Sequence, residues 1–177
     1  MVLLVIDTQK LITNDRLYAF ERFEKNIKQL IDTARKNQIE VIYVRHDDGE
    51  GEELTKGTPG YDVYEGFAPN PGERIFDKNC NSAFKESGLL EYLRDKGEKQ
   101  IIITGIATDF CIDACVKCGF EHGFEIVVPQ YANTTNSNPY FTGEESYRFY
   151  NEYMWPNRYA SCISMEDTIH RMESKDK

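Results

Sequence analysis

Cys111 is the residue of this sequence best placed for covalent chemistry. The apolar, β-branched run 101–106 predicts a buried strand that ends around Gly105, where the chain can turn sharply. Thr108 or Asp109 is then expected to cap a helix with Cys111 in its first turn. A thiol at the positive end of a helix dipole has a lowered pKa and is a better nucleophile. A small buried hydrophobic cysteine fits the same position, and the placement alone does not separate the two interpretations.

Asp7 and Lys78 supply the other groups that a cysteine nucleophile needs. Each follows a predicted strand, 2–6 and 74–77 respectively. Asp7 can act as the base and later as the acid that protonates a leaving amine. Lys78 can hold both side chains and favour the thiolate, and it is expected at the rim, where it adds little to stability. Either residue alone is explained by a turn or a cap, but their convergence with Cys111 favours the catalytic interpretation.

Strands and helices alternate along the chain, which predicts a mostly parallel sheet covered on both faces. In such sheets ligands bind at the carboxyl ends of the strands, where Asp7, His46, Lys78 and the Cys111 turn are expected to meet. The Gly- and Pro-rich loop 47–73 contains aromatic residues that are expected to line a pocket. They are Tyr61, Tyr64 and Phe67. The predicted strands are 2–6, 39–44, 74–77, 101–106, 124–128 and 159–163, and the predicted helices are 20–36, 87–96, one from 108 to about 119–123, 142–153 and one after Ser164.

Composition narrows the class of protein. The 177 residues are expected to form one domain over 1–177, and a net charge of −9 argues against nucleic-acid or anionic-membrane partners. The apolar start 1–6 is interpreted as a first strand rather than a signal peptide. Five cysteines in a chain without an export signal are expected to be reduced thiols, which predicts a cytoplasmic protein. The charged tail 173–177 is expected to fray.

Four segments, in order along nearly the whole chain, resemble the isochorismatase-like cysteine hydrolases. They are Leu3-Leu4-Val5-Ile6-Asp7-Thr8-Gln9, Gly57-Thr58-Pro59-Gly60, Lys78 with Ser82-Ala83-Phe84, and Thr104-Gly105-Ile106-Ala107-Thr108-Asp109-Phe110-Cys111. The resemblance implies a three-layer α/β/α, Rossmann-like fold with a six-stranded, mostly parallel sheet. It also implies an Asp7, Lys78, Cys111 triad that cleaves amide C–N bonds through a thioester without a cofactor. The peptide bond between Ile106 and Ala107 would be cis, and the N–H groups of Ala107 and Cys111 would form the oxyanion hole.

The chain also departs from members of that family. Nicotinamidases hold a metal with an Asp-x-His pair and a further histidine, whereas His46 is the only histidine before Lys78 here. We therefore predict no metal and poor turnover of nicotinamide. Tyr131 stands where the family often has aspartate. Gln9, His46 and Tyr131 are candidates for substrate binding, and His46 is alternatively the base of a Cys/His pair.

The sequence thus predicts a cysteine hydrolase that cleaves a C–N amide bond of a small molecule. Members that act on a vinyl ether commonly lack the cysteine, so Cys111 favours an amidase. A metal-dependent nicotinamidase and a non-catalytic binding protein that keeps the fold are the alternatives. The many aromatic residues between 140 and 159 are expected to cover the pocket or a subunit interface, which predicts a homo-oligomer, a dimer or a tetramer.

Overall fold

A parallel β-sheet forms the centre of the computed structural model, which describes residues 1–174. Its strand order is β3-β2-β1-β4-β5-β7, and a short β6 pairs with β4; every pairing is parallel. The α/β fold with a parallel sheet is therefore confirmed, with the two-residue β6 as an unpredicted addition. Of the tail 173–177 that we predicted to fray, residues 175–177 lie outside the described residues, whereas Glu173 is the last residue of a helix. The strands are β1 Val2–Ile6, β2 Glu40–His46, β3 Arg74–Lys78, β4 Gln100–Ile106, β5 Glu125–Pro129, β6 Asn133–Thr134 and β7 Ser161–Ile163.

Helices cover both faces of the sheet. Side chains of a strand alternate between its faces, and in β1 Leu4 packs with the helix on one side while Leu3 packs with the helix on the other. The hydrophobic core on the Leu4 face of the sheet contains Leu89 of α2 and Val116 of α3, and the core on the Leu3 face contains Ile27 of α1. The layers are therefore helix, sheet, helix. The helices are α1 Phe20–Lys36, α2 Leu89–Asp95, α3 Asp113–Glu121, α4 Gly143–Arg148 and α5 Met165–Glu173, with a 3₁₀ turn at Glu65–Phe67 and π-helical turns at Thr108–Ile112 and Phe149–Met154.

The carboxyl ends of β1 and β4 approach each other closely. Gly105 of β4 has a φ of +129°, and a Cβ at this position would lie 2.0 Å from the carbonyl oxygen of Ile6. Only glycine fits there, since any other side chain would push the two strands apart. This contact sets the residue after β1 beside the turn after β4.

The long loop between β2 and β3 packs on the body of the protein. Tyr64 and Phe67 contact each other, and Phe67 makes an edge-to-face contact with Phe23 of α1. Tyr61 is buried beneath the guanidinium of Arg45. Phe67 lines a cavity beside α1, away from the strand ends, so it is pocket-lining as predicted. Tyr61 and Tyr64 bury their rings against a strand residue and the hydrophobic core, which does not support a pocket-lining role for them.

Candidate active site

Three side chains meet at the carboxyl edge of the sheet. Asp7 directly follows β1, Lys78 is the last residue of β3, and Cys111 lies in the turn after β4. Lys78 Nζ donates to Asp7 Oδ2 at 2.7 Å and to Cys111 Sγ at 3.3 Å. The convergence of these three groups is the central geometric feature of the site.

The three groups are almost completely removed from solvent. The exposed fractions are 1% for Asp7, 4% for Lys78 and 8% for Cys111. Lys78 is thus not the exposed rim residue that we expected, and its burial removes the reason for expecting a small contribution to stability. Asp7 Oδ1 has no hydrogen-bond partner among the described residues, which leaves it free to accept a proton.

Burial dominates the electrostatics of the site. Burial raises the pKa of the Asp7 carboxyl, against the opposing attraction of the Lys78 ammonium. Burial, together with the Asp7 carboxylate, raises the pKa of the Cys111 thiol well above its usual value. Burial disfavours charged Lys78, but Asp7 and Cys111 outweigh this effect and raise the pKa of the ammonium. The lowered thiol pKa predicted from the helix dipole is wrong, so Cys111 needs a base to become a nucleophile.

The site also has a spacing that can hold a metal. A carboxylate oxygen of Asp7, a ring nitrogen of His46 and Cys111 Sγ lie within 4.8 Å of one another. Lys78 Nζ, however, lies 2.7 Å from Asp7, 2.9 Å from His46 Nδ1 and 3.3 Å from Cys111 Sγ. A cation placed among these ligands would meet the ammonium at short range. The donor set does not fit a resident metal while the lysine is charged.

The turn that presents Cys111 differs from the prediction. No side chain caps it. Thr108 instead donates its hydroxyl to Asn133 at 2.7 Å, and Asp109 accepts from Thr135 at 2.6 Å. The two predicted caps were therefore wrong, because both side chains bond to the segment after β5. The turn is a wide π-helical one that continues into α3.

The peptide bond before this turn, between Ile106 and Ala107, is cis, as predicted.

Gln9 and His46 form a pair that joins the ends of β1 and β2. Gln9 Nε2 donates to the His46 carbonyl at 2.9 Å, and the His46 N–H donates to Gln9 Oε1 at 2.8 Å. Gln9 is fully buried. His46 Nδ1 is 2.9 Å from Lys78 Nζ, and Nε2 is 3.0 Å from Asp48 Oδ1. These contacts occupy both side chains within the protein, so the role of Gln9 and His46 in substrate binding stays a prediction.

Tyr131 belongs to a different cluster. The Tyr131 ring stacks on the Tyr147 ring with a centroid distance of 4.9 Å, and the guanidinium of Arg22 lies 3.5 Å from the centroid of the Tyr131 ring. Its backbone N–H donates to the Tyr147 hydroxyl at 2.7 Å. Among the described residues, these contacts join Tyr131 to Tyr147 and Arg22 rather than to Asp7, Lys78 or Cys111, and its role in substrate binding stays a prediction.

Two residues near the site escaped the sequence analysis. Asp48 contacts the outer ring nitrogen of His46, and Asn81 Oδ1 lies 3.9 Å from Cys111 Sγ. Asn81 follows β3, as Lys78 does, but a single asparagine in a polar turn carries no signal of a role. Asp48 stands in an acidic, glycine-containing segment that is typical of solvated loops.

Two cavities lie near the site. One, of about 360 Å³, is lined by Lys78 with acidic and polar neighbours, including Asp47, Asp77 and Glu86. The other, of about 390 Å³, is lined by Asp109 and Phe110 of the Cys111 turn and by rings of the following segment. Both volumes are within the range of small-molecule sites. One cavity thus borders Lys78 and the other borders residues next to Cys111, and each is large enough for a small substrate.

Comparisons with known proteins give the relatives of this chain. A family model described as the isochorismatase domain matches residues 1–154. The chain is 26% identical over 134 residues to a secreted isochorismatase effector of Verticillium dahliae, covering 74% of this chain and 70% of that protein. It is 24% identical over 139 residues to a streptothricin hydrolase of Streptomyces noursei, covering 77% of this chain and 55% of that protein. The chain therefore spans little more than half the length of this second relative.

A solved structure shares the fold closely. A cysteine hydrolase from Pseudomonas syringae pv. phaseolicola has a TM-score of 0.90 at 22% identity, covering 98% of this chain and 92% of that chain. In residues 1–174, no helix combines the length and the apolar character that crossing a membrane requires.

Proposed function

This chain belongs to the isochorismatase family, and from that premise we propose that it is a cysteine hydrolase that cleaves the C–N bond of a small amide. One observation supports this most strongly. The buried Lys78 ammonium lies within hydrogen-bonding distance of both the Asp7 carboxylate and the Cys111 sulfur. A base, a nucleophile and a fixed positive charge in one water-poor site are the groups that acyl transfer needs.

In the first half of the reaction, Cys111 becomes acylated. The free oxygen of Asp7 takes the thiol proton as Cys111 Sγ attacks the amide carbonyl. The raised pKa of Asp7 suits it to this transfer, and the Lys78 charge stabilises the sulfur as it loses its proton. The N–H groups of Ala107 and Cys111 are the proposed donors to the carbonyl oxygen, which becomes negative in the tetrahedral intermediate. The tetrahedral intermediate then collapses, the C–N bond breaks, and Asp7 returns its proton to the leaving nitrogen, so that ammonia or an amine departs and a thioester on Cys111 remains.

In the second half, the thioester is hydrolysed. Asp7, again a carboxylate, takes a proton from a water molecule that attacks the thioester carbonyl. The C–S bond then breaks, Asp7 returns that proton to the Cys111 sulfur, and the products are a carboxylic acid and the restored thiol, with no redox change or cofactor.

The test is a screen for ammonia or amine release over a panel of small amides. We expect at least one amide to be turned over by the wild type and not by Cys111→Ala. Cys115→Ala is the matched control, because Cys115 is one helical turn further along and burial raises its pKa to about 12. Turnover that survives in Cys111→Ala would contradict the proposal.

We also propose that the protein assembles as a homo-oligomer. Exposed rings cluster around the cavity beside the Cys111 turn, and burying such a patch against a second copy would remove it from water. Light scattering should therefore give a multiple of the 20.5 kDa chain mass, and a monomer at micromolar concentration would contradict this expectation. The exposed rings are Phe110, Tyr140, Phe141, Phe149 and Tyr153.

The cysteines support a cytoplasmic location for the reaction. All five are free thiols in the structure. Unpaired cysteines are typical of a reducing compartment, where a catalytic thiol also stays active. Cell fractionation of the native protein tests this, and recovery from the culture medium would contradict it.

A further inference from the structure

The Lys78 ammonium is surrounded by a complete set of acceptors. It has three N–H groups and cannot accept a hydrogen bond. Its nitrogen lies 2.7 Å from Asp7 Oδ2, 2.9 Å from His46 Nδ1 and 3.3 Å from Cys111 Sγ. Each N–H group thus has one acceptor. Because Lys78 is buried, solvent is poorly placed to replace an acceptor that is lost.

This arrangement fixes the proton on the His46 ring. Nδ1 faces a group that only donates, so Nδ1 has to be the unprotonated, accepting nitrogen. Nε2 lies 3.0 Å from Asp48 Oδ1, and a carboxylate accepts the N–H that Nε2 then carries. Asp48 therefore selects the tautomer in which His46 can accept from Lys78.

The backbone of His46 is held as firmly as its ring. Both amide atoms of Gln9 bond to the N–H and the carbonyl of His46. Gln9 is two residues beyond Asp7, so these two hydrogen bonds fix His46 to the end of β1, which also carries the proposed base Asp7. The Asp48 N–H in turn donates to the Leu54 carbonyl at 2.9 Å, which holds the carboxylate beside Nε2.

We propose that His46, oriented by Asp48, is a positioning residue that fixes the Lys78 ammonium between Asp7 and Cys111. It does not touch the substrate, and it takes no proton from Cys111. Without His46 as acceptor, one N–H of a buried ammonium is unpaired, so the lysine either moves or loses its charge. Either change weakens the stabilisation of the Cys111 sulfur as it becomes a nucleophile. This inference rests on the proposed hydrolysis for its effect on turnover.

The test compares two replacements of His46. Asparagine keeps an acceptor near the position of Nδ1, whereas leucine removes it at similar size. We expect His46→Leu to slow alkylation of Cys111 by iodoacetamide about tenfold, and His46→Asn to stay within about threefold of the wild type. Peptide mapping by mass spectrometry isolates the rate at Cys111. His170→Leu is the control, because His170 is an exposed residue of α5.

A second pair of variants tests the role of Asp48. The side-chain amide of an asparagine at position 48 can donate an N–H to His46 Nε2. His46 can then carry its own proton on Nδ1, where it faces the Lys78 ammonium with a donor instead of an acceptor. Asp48→Asn should therefore slow alkylation about threefold. Asp62→Asn removes the same charge elsewhere in the loop between β2 and β3. It should have no effect, because the Asp62 side chain is 65% exposed and lies 3.9 Å from Lys10 Nζ, away from His46.

Turnover gives the second readout. With an amide from the screen, His46→Leu should lower kcat about tenfold and leave KM within about twofold, while His46→Asn restores kcat. Equal losses in His46→Leu and His46→Asn, or no loss in either, would overturn the proposal. If His46→Leu does not fold, Asp48→Asn against Asp62→Asn decides the question. Alkylation of Cys111 needs no substrate, so it tests the role of His46 independently of amidase activity. If the variants show the predicted alkylation rates but the protein hydrolyses no amide, the proposed function is refuted and the inference about His46 stands.

Discussion

Replacing Lys78 with methionine should destabilise the protein strongly. The two ion-pair side chains are 0% and 2% exposed, and their atoms are 2.7 Å apart. Methionine has a similar length but no charge, so the variant leaves the Asp7 carboxyl buried without its counter-charge. Removing one partner of a buried pair costs about 3–5 kcal/mol, whereas removing both is often close to neutral. We therefore expect Lys78→Met to lose about 3–5 kcal/mol at pH 7.5 and Asp7→Asn/Lys78→Met to recover most of that loss.

The loss should also depend on pH, in a direction set by Asp7. Burial already raises the pKa of Asp7 in the folded protein, and Lys78 opposes this rise. Without Lys78 the folded-state pKa rises further above the unfolded value of about 3.9. A carboxyl whose pKa is higher in the folded protein than in the unfolded chain favours folding while it is protonated. This contribution to the free energy of unfolding is full below the pKa of the unfolded chain and is lost as the pH rises through the pKa of the folded protein. The stability gap between Lys78→Met and the wild type should therefore narrow between pH 7.5 and pH 5.

Urea denaturation at the two pH values measures this gap as a difference in the free energy of unfolding. Lys28→Met is the matched control, because Lys28 pairs with Glu24 at 2.9 Å at the surface, where the lysine is 47% exposed. Exposed pairs of this kind contribute about 0.3–0.5 kcal/mol. A loss below about 1 kcal/mol in Lys78→Met, or a gap that widens on acidification, would refute the assigned burial and charge of this pair.

Three further predictions follow from the site and its surroundings. The acid limb of kcat/KM should lie above the pH expected for an ordinary aspartate, because burial raises the pKa of Asp7 and the carboxyl must be ionised to act as base; a limb near pH 4 would contradict this. Dialysis against a chelator should leave amide turnover unchanged, with metal removal checked by elemental analysis, and activity that returns only with added metal would contradict the exclusion by Lys78. Thr142→Ala should lose about 1 kcal/mol in urea denaturation, because Thr142 and Glu145 form a capping box at α4, and an unchanged midpoint would contradict that role.

Features that depend on neighbouring residues were readable from the sequence. The helical spacing of α1 predicts its observed bounds, Phe20–Lys36, and the helix predicted over 142–153 corresponds to α4 and the π-helical turn that follows it. The strand ends that gather Asp7, Lys78 and Cys111 followed from alternating strands and helices, since parallel strands place their carboxyl ends on one edge. Local periodicity and topology therefore sufficed for the fold and for the convergence of the site.

Features that depend on distant contacts were not readable. Gln9 and His46 are 37 positions apart, and nothing in either segment indicates that the amide of one closes on the backbone of the other. We predicted a lowered pKa for the Cys111 thiol from the local helix dipole. In the folded chain, burial and the Asp7 carboxylate raise this pKa instead. Side-chain direction and burial arise from the assembled structure, which is why roles near the site needed correction while its location did not.

The central claim is that hydrolysis passes through a thioester on Cys111. The most direct measurement uses two amides that share an acyl group but release different amines, with hydroxylamine added as a competing nucleophile. If both substrates form the same acyl-Cys111, hydroxylamine and water must partition it identically, so the ratio of hydroxamate to acid is the same for both. A ratio that changes with the leaving amine, or turnover that never yields hydroxamate, would contradict the thioester.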